Sequence, residues 1–229
     1  MKMVLKLLTT VTNEGKNFVE EISKFPVQDN KVIQYFKVLQ DECDRELALV
    51  EDLLSLQHIE VGIYTAQAIP INLQDLLPHL IEPFEIRTQN QQQTLQVDIA
   101  PNLPTFNLDS RSFNRVVTEL LSNACKYTPA GGTISISANI AEATTDSGSV
   151  RCLQIVIANT GVEIAPEELS RIFDKFYRIP NNDPWKYGGT GLGLALVKKL
   201  VEQMGASILV KSTNNQTCFI VQLIVTASE

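Results

Sequence analysis

The chain has 229 residues, of which 44% are hydrophobic, enough apolar material for one sizeable core with a smaller helical appendage. Its formal net charge of −7 at pH 7 and the lack of any Lys/Arg cluster argue against a nucleic-acid footprint or a polybasic membrane patch. No apolar run reaches the length of a membrane-spanning helix, and the first residues lack the layout of a secretory signal.

Met1 to about Ile22 reads as a helix through Val4, Leu5, Leu8, Val11, Phe18 and Ile22, closed by Phe25-Pro26. From Asp29 to about Val61 a longer helix places Phe36, Leu39, Cys43, Leu47, Val50 and Leu54 along a coiled-coil-like seam. The two form a predicted N-terminal helical hairpin, residues 1–66. Periodicity alone leaves open whether it is an accessory packed on the main domain or a dimerising bundle.

Residues 67–229 follow a mixed α/β order. A helix is predicted over about Leu73 to Arg87, then strands around Leu95 to Ile99 and Thr105 to Leu108, separated by Pro101 and Pro104. Asp109 suits the N-cap of a helix running to about Lys126, and Gly131-Gly132 divides it from a strand with Ile134, Ile136 and Ala138. Ala141 to Ser149 reads as an exposed loop. Strands around Leu153 to Ala158, Ser207 to Lys211 and Cys218 to Val225, with a helix over about Leu192 to Met204, complete a sheet. Cys43, Cys125, Cys152 and Cys218 form no CxxC pair, which points away from a zinc site or disulfide framework and fits a reducing, cytoplasmic compartment.

Two stretches carry chemistry. Glu119, Asn123 and Lys126 stand four and three residues apart, so a carboxylate, an amide and an ammonium share one helix face. These are the groups a metal-nucleotide site needs: a base or water-orienting group, an oxygen donor for Mg²⁺, and a cation for phosphate. A solvated helix face accounts for this helix, taken alone, equally well. The second stretch, Gly188-Gly-Thr-Gly-Leu-Gly-Leu194, leads into an apolar helix. Its glycines would let backbone N–H groups approach a phosphate, although the Walker and dinucleotide patterns are absent.

Taken together, ELLSNACKYTP (119 to 129), RIFDKFYRIP (171 to 180) and GGTGLGLALVKKL (188 to 200) closely resemble the N box, F box and second glycine box of two-component sensor histidine kinases, in order and spacing. The resemblance implies a two-layer α/β sandwich, the ATP-binding catalytic domain of such a kinase, for residues 67–229. It implies that Glu119 is the base-like catalytic residue, that Asn123 holds Mg²⁺, and that Lys126 and Tyr127 line the nucleotide. Gly189, Thr190, Gly191, Leu192 and Gly193 would hold the triphosphate of ATP. Phe173 to Trp185 would form the lid.

The first glycine box departs from the family's Asp-x-Gly-x-Gly. Here it reads Asn159-Thr-Gly161-Val-Glu163-Ile164. Asn159, Gly161 and Ile164 would meet the adenine, with Asn159 a neutral acceptor in place of a carboxylate. Glu163 would bring negative charge toward an anionic ligand. This combination, with DPWK (183 to 186), resembles a cyanobacterial-type branch of the family.

LQDECDRELALVEDLLSLQHIE (39 to 60) resembles the second helix of the kinase dimerisation and phosphotransfer hairpin. The phosphoacceptor motif His-Glu-x-x-Thr-Pro is absent, and family spacing puts that histidine about ten residues before Met1. Neither His58 nor His79 stands in such a motif. The resemblance thus implies a homodimer through the hairpin, a response regulator receiver domain as partner, and a kinase core unable to phosphorylate itself. The competing reading is a nucleotide-binding or scaffolding module with a degenerate, inactive site.

Overall fold

The computed structural model describes residues 30–145, 148–180 and 189–224. The predicted first helix, Met1 to Ile22, lies outside them. The chain divides into two units, Met1–His58 and Ile59–Glu229.

In the first unit, helix α1 spans Asn30–Glu60, close to the predicted Asp29 to Val61. Along its seam Leu39 is exposed and Cys43, Leu47, Val50 and Leu54 are half-buried; Leu56, off that seam, is buried.

In the second unit the strands are β1 (Ala68–Ile71), β2 (Thr94–Ile99), β3 (Phe106–Asp109), β4 (Thr133–Thr145), β5 (Gly148–Thr160), β6 (Ala206–Thr213) and β7 (Gln216–Ile224). The helices are α2 (Leu73–Asn90), α3 (Ser110–Tyr127) and α4 (Gly193–Gln203). A five-stranded sheet runs β2-β4-β5-β7-β6, and β1 and β3 form a separate antiparallel ribbon. Only the β2–β4 pair is parallel. This is the mixed α/β sandwich that the motif order implies.

Residue periodicity explains which faces are covered. On α3, Phe113, Val116, Val117, Leu120, Leu121 and Ala124 are buried, the three-and-four spacing of an apolar stripe. On α2, Leu73, Leu77, Ile81, Phe84 and Thr88 repeat every three or four residues and are buried, despite Pro78 and Pro83 within the helix. The sheet answers with rows defined by its register. Ile136 pairs with Ile157 and that with Phe219; Ala138 pairs with Ile155 and that with Val221. All six are buried.

Within the predicted loop Ala141 to Ser149, residues 141–145 and 148–149 are strand, not the loop their small, polar composition suggests. β4 and β5 remain paired out to Thr145 opposite Gly148. An antiparallel ladder satisfies backbone groups whatever the side chains, and Thr144, Thr145 and Val150 favour extended backbone.

The segment entering the sandwich is latched by Tyr64. Its hydroxyl donates to Asp109 Oδ2 at 2.5 Å and lies 3.0 Å from Ser112 Oγ, while its carbonyl accepts from Gln203 Nε2 at 3.1 Å. Asp109 holds the N-cap position of α3, where Ser112 Oγ also donates to it at 2.5 Å. Burial alone would raise the Asp109 carboxyl, but the hydrogen bonds from Ser112 and Tyr64 outweigh it and hold the pKa below the ordinary value. A carboxyl whose folded pKa is depressed stabilises the fold above its unfolded pKa and loses that contribution as pH falls through the folded one.

Tyr64→Phe is therefore expected to cost about 1–2 kcal/mol at pH 7, the scale of a lost hydrogen bond to a charged acceptor. Urea unfolding checks it: the penalty should shrink below about pH 4, as the carboxylate is neutralised. An equal penalty at pH 3 contradicts the latch.

Candidate functional site

The site lies where the polar face of α3 meets the loop that leads into α4. α3 buries its apolar stripe, which leaves Glu119, Asn123, Lys126 and Tyr127 half-buried on its other side. Glu119 Oε1 is paired with Arg115 at 2.8 Å, one turn earlier. Lys126 Nζ stands 4.9 Å from the centre of the Tyr127 ring.

The glycines show how closely the loop approaches. A Cβ at Gly193 would lie 2.7 Å from Glu119 Oε2, and one at Gly189 would lie 2.7 Å from Lys126 Nζ. Two residues a full helical turn and more apart on α3 thus face two glycines of one loop. Gly189, with φ +148°, and Gly191, with φ +71°, adopt conformations that favour glycine. Thr190 Oγ1 accepts from the Leu192 N–H at 3.2 Å, and Leu192 is buried. The N-cap residue Leu192 makes no side-chain cap hydrogen bond and no acidic residue sits in the first turn of α4, so the partial positive charge of that helix end lies beside the loop.

The segment before the loop docks on it through its backbone. Phe176 has φ +64°, its N–H donates to the Gly191 carbonyl at 2.9 Å, and the residue is 58% exposed. A Cβ at Gly191 would meet the Phe176 backbone at 2.8–2.9 Å. Tyr177 donates to Glu168, and Arg171 stacks on the Tyr177 ring at 4.2 Å. Of the predicted lid, residues 181–185 lie outside the described residues, as does Gly188.

A second wall forms at the end of β5. Asn159 pairs with Ile134 on one side and Thr217 on the other, in line with the buried Ile157 row. Its side chain is buried, and its Nδ2 has no hydrogen-bond partner among the described residues. Gly161, with φ +90°, lies so close to Pro129 that a Cβ would stand 2.4 Å from the ring. The C-terminal end of α3 and the residues just after it therefore reach both walls, at Lys126 and at Pro129.

Glu163, which the sequence sets beside an anionic ligand, is exposed and has a partner within the protein. Its Oε2 accepts from the Asn215 N–H at 3.0 Å, in the turn between β6 and β7. Three more bonds tie the same stretch to that hairpin: Gly161 N–H to the Asn215 carbonyl at 2.8 Å, Ile164 N–H to Ser212 Oγ at 2.8 Å, and Thr217 Oγ1 to the Val162 carbonyl at 3.0 Å. This clamp was not foreseen from sequence, because its partners lie about fifty residues apart. The Arg115–Glu119 pair was also missed, although its i,i+4 spacing is a readable signal.

No three His, Cys, Asp or Glu side chains gather as a metal cluster among the described residues. The donor set at α3, one amide and one carboxylate, suits a cation that arrives on phosphate oxygens and needs few protein ligands. No described helix is long and apolar enough to cross a membrane.

Residues 108–227 match the family of histidine kinase-, DNA gyrase B-, and HSP90-like ATPases. The chain is similar to the circadian input-output histidine kinase CikA of Synechococcus elongatus, 31% identical over 185 residues covering 80% of this chain and 24% of that protein. It is also similar to the sensor histidine kinase WalK of Bacillus subtilis, 29% identical over 206 residues covering 88% of this chain and 32% of that one. The chain thus spans about a quarter to a third of these curated relatives. The crystal structure of full-length ShkA in complex with AMPPNP shares the fold, with a TM-score of 0.72 at 22% identity over 98% of this chain and 47% of that one.

The contact at Gly191 is directly testable. Gly191→Ala should speed hydrogen exchange of the Phe176 amide at least tenfold, because the methyl displaces the segment that bonds it. Gly131→Ala, also at positive φ but facing open space, should leave that amide unchanged. Equal exchange in both variants contradicts the packing.

Proposed function

Because this chain belongs to the family of histidine kinase-, DNA gyrase B-, and HSP90-like ATPases, with sensor histidine kinases among its relatives, we propose that it binds Mg²⁺-ATP and supplies the γ-phosphate to a histidine nitrogen. The observation that carries this reading is the convergence of Glu119 and Lys126 with Gly189 and Gly193.

In this reading the glycine loop and the start of α4 cradle the triphosphate through backbone N–H groups. Lys126 adds a cation, and Tyr127 shields it from one side. Asn123 would hold Mg²⁺ through its amide oxygen, the remaining sites being filled by phosphate and water; when bound, the metal neutralises charge on the phosphates. Glu119 orients or deprotonates the attacking imidazole. Arg115, paired with that carboxylate at 2.8 Å, holds it in place. Asn159, Gly161 and Ile164 form the base subsite. Catalysis then rests on positioning and charge neutralisation.

Neither histidine of this chain suits the acceptor role. His58 and His79 are exposed on helices α1 and α2, without the motif that accompanies an acceptor. The receiving histidine lies outside these 229 residues, and its phosphate passes to an aspartate of a response regulator receiver domain. Residues 1–66 act as part of a dimerisation and phosphotransfer hairpin, making a homodimer the working unit, and 67–229 as the catalytic domain. The bond between Glu163 and Asn215 supports this reading over a degenerate site, since it gives that carboxylate a partner in the turn between β6 and β7.

Calorimetric titration should give Mg²⁺-ATP binding at micromolar to sub-millimolar Kd, weakened at least tenfold in Lys126→Ala. No binding at millimolar nucleotide overturns the reading. With labelled ATP, the chain should label a supplied phosphoacceptor hairpin and not itself; label lost on His58→Ala or His79→Ala would contradict the acceptor assignment.

A further inference from the structure

Four buried side-chain atoms lack a hydrogen-bond partner among the described residues: Gln93 Oε1, Asn114 Oδ1, Gln203 Oε1 and Asn159 Nδ2. Asn159 Nδ2 is the only donor of the four. Asn159 is 5% exposed, so an unmet N–H there costs on the order of a hydrogen bond unless a ligand or an ordered water supplies the acceptor.

The neighbours that could satisfy the amide are engaged elsewhere. Thr217, opposite Asn159 across the ladder, gives its hydroxyl to the Val162 carbonyl at 3.0 Å and shares a 2.8 Å bond with Ser212. On the other side stands Ile134, which offers no polar side chain. Among the described residues no hydrogen bond holds the amide in one orientation, and turning it over exchanges donor and acceptor.

A carboxylate at this position would present acceptors only. It would favour the 6-amino group of adenine and repel the 6-oxo oxygen of guanine or hypoxanthine. A carboxamide presents one donor and one acceptor. The adenine edge offers an amino donor beside the N1 acceptor; the 6-oxo purine edge offers an oxygen acceptor beside an N1–H donor. Asn159 complements either by turning over. A site discriminates strongly only when the wrong ligand leaves buried polar groups unpaired or opposed, and here neither purine does.

We propose that Asn159 makes the base subsite ambivalent between 6-amino and 6-oxo purines, so that this site takes guanosine and inosine nucleotides as well as adenosine nucleotides. The proposal rests on the nucleotide-binding reading above and names its substrate class.

Calorimetry on the full chain with Mg²⁺-ATP, Mg²⁺-GTP and Mg²⁺-ITP tests it. The expected result is Kd values for GTP and ITP within about tenfold of that for ATP. Asn159→Asp should widen the gap at least tenfold further, chiefly by weakening the 6-oxo nucleotides. A wild-type gap larger than tenfold overturns the proposal, as does an unchanged gap in the aspartate variant. ITP decides the question on wild-type protein if that variant does not fold. Binding of ATP with exclusion of both 6-oxo nucleotides sinks this inference alone, whereas no binding of any of the three sinks the nucleotide-binding reading as well.

Discussion

A side chain at position 191 would collide with the backbone of Phe176, and one at 189 or 193 would press on Lys126 or Glu119. The rest of the site depends on that close approach. Only bare backbone lets a loop lie so near a polar helix face, and only the buried stripe of α3 holds that face still. Phe113, Leu120 and Leu121 are almost fully buried, so rotating α3 to move Glu119 would expose large apolar side chains, at roughly 1.5–3 kcal/mol each. Core packing and site geometry are therefore one constraint.

The second wall obeys the same logic through hydrogen bonds. The end of β5 would otherwise be a short loop free to move. Four bonds to the β6–β7 hairpin, one of them from Glu163, fix the backbone between Gly161 and Ile164. The Glu163 side chain departs from the family's glycine, yet it braces the loop from outside. Asn159, at the start of this stretch, is left as the adaptable element of a rigid frame. Where a sequence breaks a local rule, the reason is often found in function.

Much of this was legible in advance because it is periodic or locally patterned. The stripes of α2 and α3 announce themselves at three-and-four spacing, and the polar triad on α3 follows from the same arithmetic. The glycine loop and the first glycine box were readable as motifs. The unreadable features are non-local or weakly patterned. Strand β1 is four residues long and contains Pro70, too little for an alternation signal. The outer arms of β4 and β5 are small and polar and are extended only because they pair with each other. The Tyr64–Asp109 latch spans 45 positions and Glu163–Asn215 spans 52, so nothing in either sequence neighbourhood reports it.

The central claim is that one ligand is held at both walls, phosphates at the glycine loop and base at Asn159. An ¹⁵N-resolved NMR titration with Mg²⁺ and a non-hydrolysable ATP analogue tests it most directly. The account predicts that the backbone amides of Gly189, Gly191 and Gly193 and the side-chain NH₂ of Asn159 shift together, with one common saturation curve. Shifts confined to one wall, or two walls saturating at different concentrations, would contradict it.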